Sequence, residues 1–369
     1  MRDAIAGGQA LVVLSVAAMA LVVAGCGRSA PPAVAVKTAA IPEVGSGHAF
    51  LDTIALSPDG TKVATGDRGG VITVWAPGAG AAPVRLGGYR QAIADLAFSP
   101  DGLTLASIGR HRESTLRLWE DDGAGGWKEA AAIPIGRGLA LRFAASGARL
   151  ALLCEDEVLL LDVAARQELR RLARPHAETL TAFDLSADGS RLLTAGHEGT
   201  VTVWELAAVT PASARSFSVR RSRRTSAAPA GVPVETAWAV AGALSRDGRR
   251  AAAVTIEGTV FVWDLDSGAE LLADADNDAT GPPHGSLRFG ADGRLLAPTG
   301  DRMGMHLLEV SPKGRKASRV LLAGAKAFHA VSVTDDARGF AVLTSTLGDR
   351  QLVYDVDVWR IDAPGSGTR

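Results

Sequence analysis

The chain has 369 residues, of which 47% are hydrophobic and 21% are charged, and its formal net charge at pH 7 is -1. This composition allows a large core, and the near-neutral charge gives no general attraction to nucleic acid, which we therefore exclude as a partner. Only two cysteines occur, Cys26 and Cys154. They are too few for a disulfide framework or a cysteine-ligated metal centre.

The N-terminal segment has the features of an export signal. An apolar stretch over 10–24 leads to Cys26, and the polar, proline-containing segment 27–32 follows. The small residues before the cysteine resemble a bacterial lipoprotein signal, which implies cleavage before Cys26 and a membrane anchor through a diacylglyceryl group on its sulfur. The alternative is a transmembrane helix, but this stretch is shorter than the roughly 20 residues that span a bilayer. We expect a signal peptide over 1–25 and a lipidated cysteine with a short tether over 26–32.

A recurring unit follows, in which an apolar strand enters a tight turn, an alternating strand comes next, and a third strand ends at or near Trp. The seven turns are 57–60, 99–102, 145–147, 186–189, 245–248, 291–293 and 334–337. The third strands end at Trp75, Trp119, Leu161, Trp204, Trp263, Leu308 and Trp359. The repeat length is close to the roughly 40 to 45 residues of a four-stranded propeller blade. The repeats therefore predict stacked blades.

The fourth repeat, from His176 to Trp204, is the most regular and resembles a WD repeat. The similarity to that family extends over about residues 47–362. It implies an all-β fold, a seven-bladed β-propeller of four-stranded antiparallel blades. In the family a His, a Ser or Thr, an Asp and the Trp form a buried hydrogen-bonded tetrad, and the resemblance assigns this structural role to His176, Thr194, Glu198 and Trp204. Leu161 and Leu308 depart from the pattern because they replace Trp.

Four histidines lie at or near the start of a repeat, namely His48, His176, His284 and His329. We interpret them as structural, because one His per blade on different blades does not make a metal site. Cys154 lies in the second strand of the third repeat between apolar neighbours. We expect a buried, inert thiol there.

Closure of the ring is expected to use the N-terminal strand. The last repeat lacks a fourth strand, whereas residues 33–41 read as a strand with no blade of their own. We predict that this strand completes the seventh blade, because an open propeller leaves unpaired strand edges. The propeller then spans 33–362, and 363–369 form a flexible tail. In such a blade the fourth strand starts on the side that carries the turns between first and second strands, which we call the bottom face. The tether would therefore hold the bottom face nearest the lipid.

A candidate partner surface is a set of arginines on the top face, which carries the loops between second and third strands. The longest insertion, 206–234, contains five arginines and no acidic residue before Glu235. Basic clusters bind phosphate and carboxylate groups, although a solvated strand and loop is the alternative. The candidate partner-binding residues are Arg68, Arg110, Arg112, Arg220, Arg221, Arg223, Arg224, Arg302 and Arg350.

The first strands are expected to line a central channel, mostly with small side chains. Asp95, Arg142, Asp184 and Arg288 are the charged exceptions, and we interpret them as a solvated, mutually compensated lining. Calcium needs six to eight oxygen ligands, which two carboxylates beside two arginines do not supply. No nucleophile and base pair, phosphate loop or Cys/His metal spacing is present in the sequence. The sequence thus predicts no catalytic residues, no metal and no cofactor.

These expectations combine into a lipid-anchored WD-repeat propeller that acts as a protein-interaction scaffold in a bacterial cell envelope, on the plasma or outer membrane. Large rigid faces with loops from many blades suit recognition, because ordered loops lose little entropy on binding. We expect a monomer with protein partners. The alternative is a periplasmic propeller enzyme or small-ligand sensor that uses the central channel.

Overall fold

The computed structural model describes residues 34–41, 51–77, 81–110, 113, 115–155, 157–173, 176, 179–206, 212–220, 237–256, 259–274, 287–290, 293, 295–301, 304–311, 314–321, 327–334, 339–347 and 352–362. Every regular element in this part of the chain is a β-strand. Strand-forming residues alternate with turn residues throughout, which explains the all-β class.

The strands form seven four-stranded antiparallel sheets, which we number I to VII. The N-terminal strand is β1 (Val34–Ile41). Sheet I contains β2 (Leu51–Leu56), β3 (Val63–Asp67), β4 (Ile72–Trp75) and β5 (Val84–Leu86). Sheet II contains β6 (Ile93–Phe98), β7 (Thr104–Gly109), β8 (Thr115–Asp121) and β9 (Trp127–Pro134). Sheet III contains β10 (Gly138–Phe143), β11 (Arg149–Cys154), β12 (Glu157–Asp162) and β13 (Gln167–Ala173).

Sheet IV contains β14 (Leu180–Leu185), β15 (Arg191–Gly196), β16 (Thr200–Glu205) and β17 (Ala212–Ser218). Sheet V contains β18 (Ala239–Leu244), β19 (Arg250–Thr255), β20 (Val260–Asp264) and β21 (Glu270–Asp274). Sheet VI contains β22 (Arg288–Phe289), β23 (Leu295–Asp301), β24 (Gly304–Ser311) and β25 (Gly314–Leu321). Sheet VII contains β26 (Ala327–Val333), β27 (Gly339–Leu347), β28 (Leu352–Asp362) and β1.

The N-terminal strand pairs with the last strand of the chain. β1 runs antiparallel to β28, with Val34 beside Asp362 and Ile41 beside Val356. We call the side with the turns between first and second strands the bottom face, and the opposite side the top face. Because Arg360 pairs with Gly339, next to such a turn, β1 starts at the bottom face.

The turn between the first two strands repeats with the same hydrogen bonds. In sheet I the Ser57 hydroxyl donates to Asp59 at 2.6 Å and accepts from the Lys62 backbone N–H at 2.8 Å. Residue 60 has a φ of 72°. This conformation favours glycine, because a residue without a Cβ adopts it at no steric cost. The same arrangement occurs at Ser99, Ser186 and Ser245. The Ser and Asp side chains thus satisfy backbone groups that the turn leaves unpaired.

Apolar cores lie between successive sheets, and each core draws side chains from both neighbours. Leu96 and Phe98 of sheet II pack with Ile72 and Val74 of sheet I. Similar cores join II with III, III with IV, IV with V, V with VI and VII with I. Sheets VII, I, II, III, IV, V and VI therefore pack in series, an arrangement consistent with a β-propeller.

A second contact between sheets lies on the bottom face and was not foreseen from the sequence. In sheets I, III and IV a basic residue at or just before the start of the second strand reaches the turn of the next sheet. Lys62 donates to the Gly102 carbonyl at 3.0 Å, Arg149 to that of Gly189 at 2.5 Å, and Arg191 to that of Gly248 at 2.6 Å. These cations thus fasten one turn to the next.

Candidate interaction face and central cavity

The four predicted tetrad residues of sheet IV are brought together by the structure. The Trp204 indole N–H donates to the Thr194 hydroxyl oxygen at 2.8 Å, and that oxygen lies 2.7 Å from His176 Nε2. His176 Nδ1 contacts the Glu198 carboxylate, and the His176 side chain is 1% exposed. A ring that donates from Nδ1 to Glu198 and accepts the Thr194 proton at Nε2 pairs His176, Thr194 and Trp204. The second carboxylate oxygen of Glu198, Oε2, is buried without a partner among the described residues. The network ties the start of the sheet to its second and third strands.

Two other sheets keep shorter versions of this network. In sheet I the Trp75 indole N–H donates to Thr65 at 3.1 Å. In sheet II the Trp119 indole N–H donates to Ser107 at 2.8 Å, and the Tyr89 hydroxyl lies 2.8 Å from the same Ser107 oxygen. Tyr89 precedes the first strand, where sheet IV has His176. Burial raises the pKa of Tyr89, so its hydroxyl stays protonated. The sequence interpretation missed Tyr89 because it searched these positions for histidine.

Only three of the candidate partner-binding arginines fall among the described residues. Arg68 binds Asp52 through two contacts at 2.9 and 3.1 Å, and Arg110 lies 3.8 Å from the same carboxylate. Arg220, at the end of sheet IV, binds Glu270 of sheet V at 2.6 Å. Its side chain is still 60% exposed. The other candidates lie outside the described residues, namely Arg112, Arg221, Arg223, Arg224, Arg302 and Arg350.

An exposed apolar patch on the top face of sheets IV and V was not predicted. Trp238 precedes β18, is 48% exposed and stacks on His197 with ring centroids 4.7 Å apart. Ile256 follows β19, is 38% exposed, and its backbone N–H donates to the Trp238 carbonyl. We call Trp238, His197 and Ile256 the aromatic patch. A large exposed aromatic side chain is typical of interaction surfaces.

A cavity of about 520 Å³ takes residues from the first strand of every sheet. In sheets I, II, III, IV, V and VII a β-bulge lies in that strand and precedes the inward-facing position held by Thr53, Asp95, Ala140, Ala182, Ala241 and Ala330. Bulges re-aim side chains, which explains why these residues reach the cavity. Its charged lining residues are Asp52, Asp95, Arg110, Arg142 and Arg288.

The channel charges compensate one another as predicted, but the predicted solvation of Asp184 and Arg288 is wrong, because both side chains are buried. Asp184 is 7% exposed at its side chain and lies outside the cavity lining. Its Oδ1 is 3.4 Å from both Arg142 and Arg288, and its Oδ2 accepts from the Leu244 backbone N–H at 2.9 Å. One buried carboxylate therefore serves two arginines, which is different from two separate pairs.

The Asp95 carboxylate is hydrogen-bonded to backbone groups of two sheets. Its two oxygens accept from the backbone N–H groups of Leu141 at 2.8 Å and Leu96 at 2.9 Å. Burial raises the pKa of Asp95, and these N–H groups and the nearby Arg142 oppose that rise. In sheet VII the Ser332 hydroxyl accepts in the same way from Leu56 of sheet I, at 3.0 Å. Side chains that face the cavity thus join neighbouring first strands.

Metal sites, membrane-spanning helices and reactive thiols were sought in the part of the chain that the structure describes. No cluster of three His, Cys, Asp or Glu residues suited to a metal ion occurs there. No helix among those residues is long and apolar enough to cross a membrane. Cys154 is buried, and burial with the nearby Glu157 raises its pKa to about 12. Cys26, the predicted lipidation site, lies outside the described residues.

Comparison with known proteins gives one family. Residues 42–76 and 167–205 match the family model described as WD domain, G-beta repeat. The first segment ends just after Trp75, and the second contains the whole tetrad from His176 to Trp204. No curated protein matches the chain. The two matches support similarity to the WD-repeat family, whose members are typically non-catalytic propeller scaffolds for protein interactions.

Proposed function

We propose that this protein is a seven-bladed propeller that serves as a protein-interaction scaffold, tethered by lipid in the bacterial cell envelope. The observation that carries the scaffold is the aromatic patch, an exposed Trp238 beside Ile256 on a face built from WD-like repeats. Trp is enriched at the centre of protein interfaces, where its area and its N–H are both used. The role proposed is binding, without catalysis.

Closure of the ring is part of this proposal. Six inter-sheet cores in series and one cavity that collects residues from seven first strands support a closed ring. The remaining junction, between sheets VI and VII, would cover the last sheet faces that have no packing partner in the series. Electron-microscopy averages of the purified protein should show a ring of seven blades, and an open arc would contradict closure.

The proposed anchor agrees with the direction of β1. Seven residue-to-residue steps lead from Cys26 to residue 33 and reach at most about 25 Å. Since β1 starts at the bottom face, lipid on Cys26 would hold that face near the membrane and leave the aromatic patch directed away from it. Cys26→Ser should move the protein from the membrane fraction to the soluble fraction, with loss of the lipid mass. Cys154→Ser is the matched control and should stay membrane-bound.

A direct test of the partner surface uses affinity recovery from native membranes. Trp238→Ala should lower partner recovery several-fold, because truncation of a central aromatic anchor removes much of the binding energy. Leu103→Ala is the matched control, since Leu103 is 53% exposed beside a bottom-face turn. Reversal of Arg220, Arg221, Arg223 and Arg224 to Glu should also weaken recovery. Equal recovery from all variants would contradict the top-face assignment.

A further inference from the structure

We infer that the central cavity is a binding site for a small carboxylate-bearing molecule, held by Arg110 and Arg142. The cavity volume of about 520 Å³ falls within the roughly 300 to 1,000 Å³ of small-molecule sites. Three arginines and two aspartates line it. This inference does not depend on the scaffold function, because the aromatic patch is absent from the cavity lining.

The two lining aspartates are already committed to protein donors. Asp52 is chelated by Arg68, which approaches it from outside the lining. Asp95 accepts from Leu141 and Leu96, and Thr53 donates to it as well. Their negative charge is therefore directed into the wall. A cationic ligand would have to compete with these fixed donors for both carboxylates.

The two arginines, in contrast, keep hydrogen-bond donors for a ligand. Arg142 is 21% exposed, and its Nε lies 3.4 Å from Asp184 but is buried without a hydrogen-bond partner among the described residues. Arg110 is 44% exposed, and its nearest carboxylate, Asp52, is 3.8 Å away and bound by Arg68. A planar guanidinium with free donors matches a carboxylate in two-point geometry.

The environment favours an anion for a further reason. Asp184, the buried counter-charge, is shared between Arg142 and Arg288. Other positions of the cavity lining are small and neutral, such as Ala140, Ala182, Ala241 and Ala330. Burial also raises the pKa of Asp95, which reduces the negative charge of the wall as the pH falls.

The test is isothermal titration calorimetry on the purified full-length protein in detergent, with acetate, succinate and citrate as probes and succinamide as the uncharged control. At least one carboxylate should bind in the millimolar range or tighter, and succinamide should not bind. Arg142→Gln should weaken binding roughly tenfold or more, because charge-assisted hydrogen bonds are lost. Arg110→Gln, on the exposed mouth, should weaken it several-fold and guards against a folding defect in the first variant.

Arg137→Gln is the matched control, since Arg137 is a top-face arginine paired with Glu155 outside the cavity lining, and this variant should bind normally. Absence of heat with all three carboxylates, equal binding of succinamide, or undiminished binding by both Arg142→Gln and Arg110→Gln would each overturn the site.

Discussion

Sheets IV and VII both pack a Trp near the end of the third strand, but they differ in whether its indole N–H is hydrogen-bonded. This residue is Trp204 in sheet IV and Trp359 in sheet VII. In sheet IV the indole N–H donates to Thr194. In sheet VII the corresponding second-strand residue is Val342, because Phe340 pairs with Trp359 as Leu192 pairs with Trp204. The Trp359 N–H is buried without a partner in the described structure.

The difference shows which interactions of the repeat are needed to form the sheet. Trp359 keeps its apolar role, since it stacks on Phe340 with centroids 6.1 Å apart, and sheet VII gains β1 as a fourth strand. Strand pairing and packing of the indole ring are therefore sufficient to form the sheet. The polar network adds to them in sheet IV. An unpaired buried N–H typically costs about 1–3 kcal/mol, which packing and pairing must offset.

The largest expected effect breaks sheet VII at β1. Ile41 is 8% exposed and packs in the core shared with sheet I. Ile41→Asp should lower the free energy of unfolding by about 3–5 kcal/mol, because an unpaired charge enters that core. Lys37→Gln is the control, since Lys37 is 42% exposed and forms only a surface ion pair with Asp357, and the variant should lose about 1 kcal/mol or less. Chemical denaturation checks both, and equal losses would show that β1 is dispensable.

Thr194→Val converts the sheet IV network to the sheet VII arrangement. It strands the Trp204 N–H and His176 Nε2 together, so we expect the free energy of unfolding to fall by about 2–4 kcal/mol. Thermal unfolding measures this loss. Thr194→Ser keeps the hydroxyl and should lose clearly less. A Val variant as stable as the Ser variant would mean that the network contributes nothing.

Val342→Thr makes the reverse change. A hydroxyl at this position should reach the Trp359 N–H, as Thr194 reaches Trp204, and should stabilise the protein by about 1 kcal/mol. Val342→Ala is the control that removes volume without adding an acceptor, and it should destabilise. The melting temperature distinguishes them, and a Thr variant less stable than the parent would contradict the assignment.

The smallest effect concerns pH and the turn of sheet IV. Hydrogen bonds from Ser186 and Ser190 lower the pKa of Asp188. A carboxylate with a lowered folded-state pKa stabilises the fold above its unfolded pKa of about 3.9, and this stabilisation is lost as the pH falls through the folded value. Between pH 6 and 3 the free energy of unfolding should therefore fall less in Asp188→Asn than in the parent. The difference between the two falls should be under about 1 kcal/mol, because the site is mostly exposed. Parallel pH curves would refute the linkage.

Most of the fold was predictable from local chemistry. Turns such as Ser57–Gly60 and the Trp positions mark the repeats because only particular residue types satisfy a tight turn or fill the wedge between sheets. The pairing of β1 with β28 followed from a last repeat without a fourth strand. The contact of Lys62 with Gly102 was not predictable, because a basic residue after a turn normally indicates only solvent exposure.

The candidate site was less accessible to sequence reasoning. The charge run in 206–234 drew attention to its arginines, yet Arg220 reaches Glu270 of the next sheet, a contact that depends on tertiary packing. Trp238 was missed because it precedes a first strand, where a single Trp has no periodic pattern. The sharing of Asp184 by Arg142 and Arg288 needs three sheets in place, so no local signal predicts it.

The most direct test of the scaffold is site-specific photo-crosslinking in native membranes, with the crosslinker placed at position 238 on the top face or at position 103 beside a bottom turn. The account predicts that position 238 captures recurrent protein partners, whereas position 103 captures lipid or no protein. Capture of the same partners from position 103, with none from position 238, would contradict it.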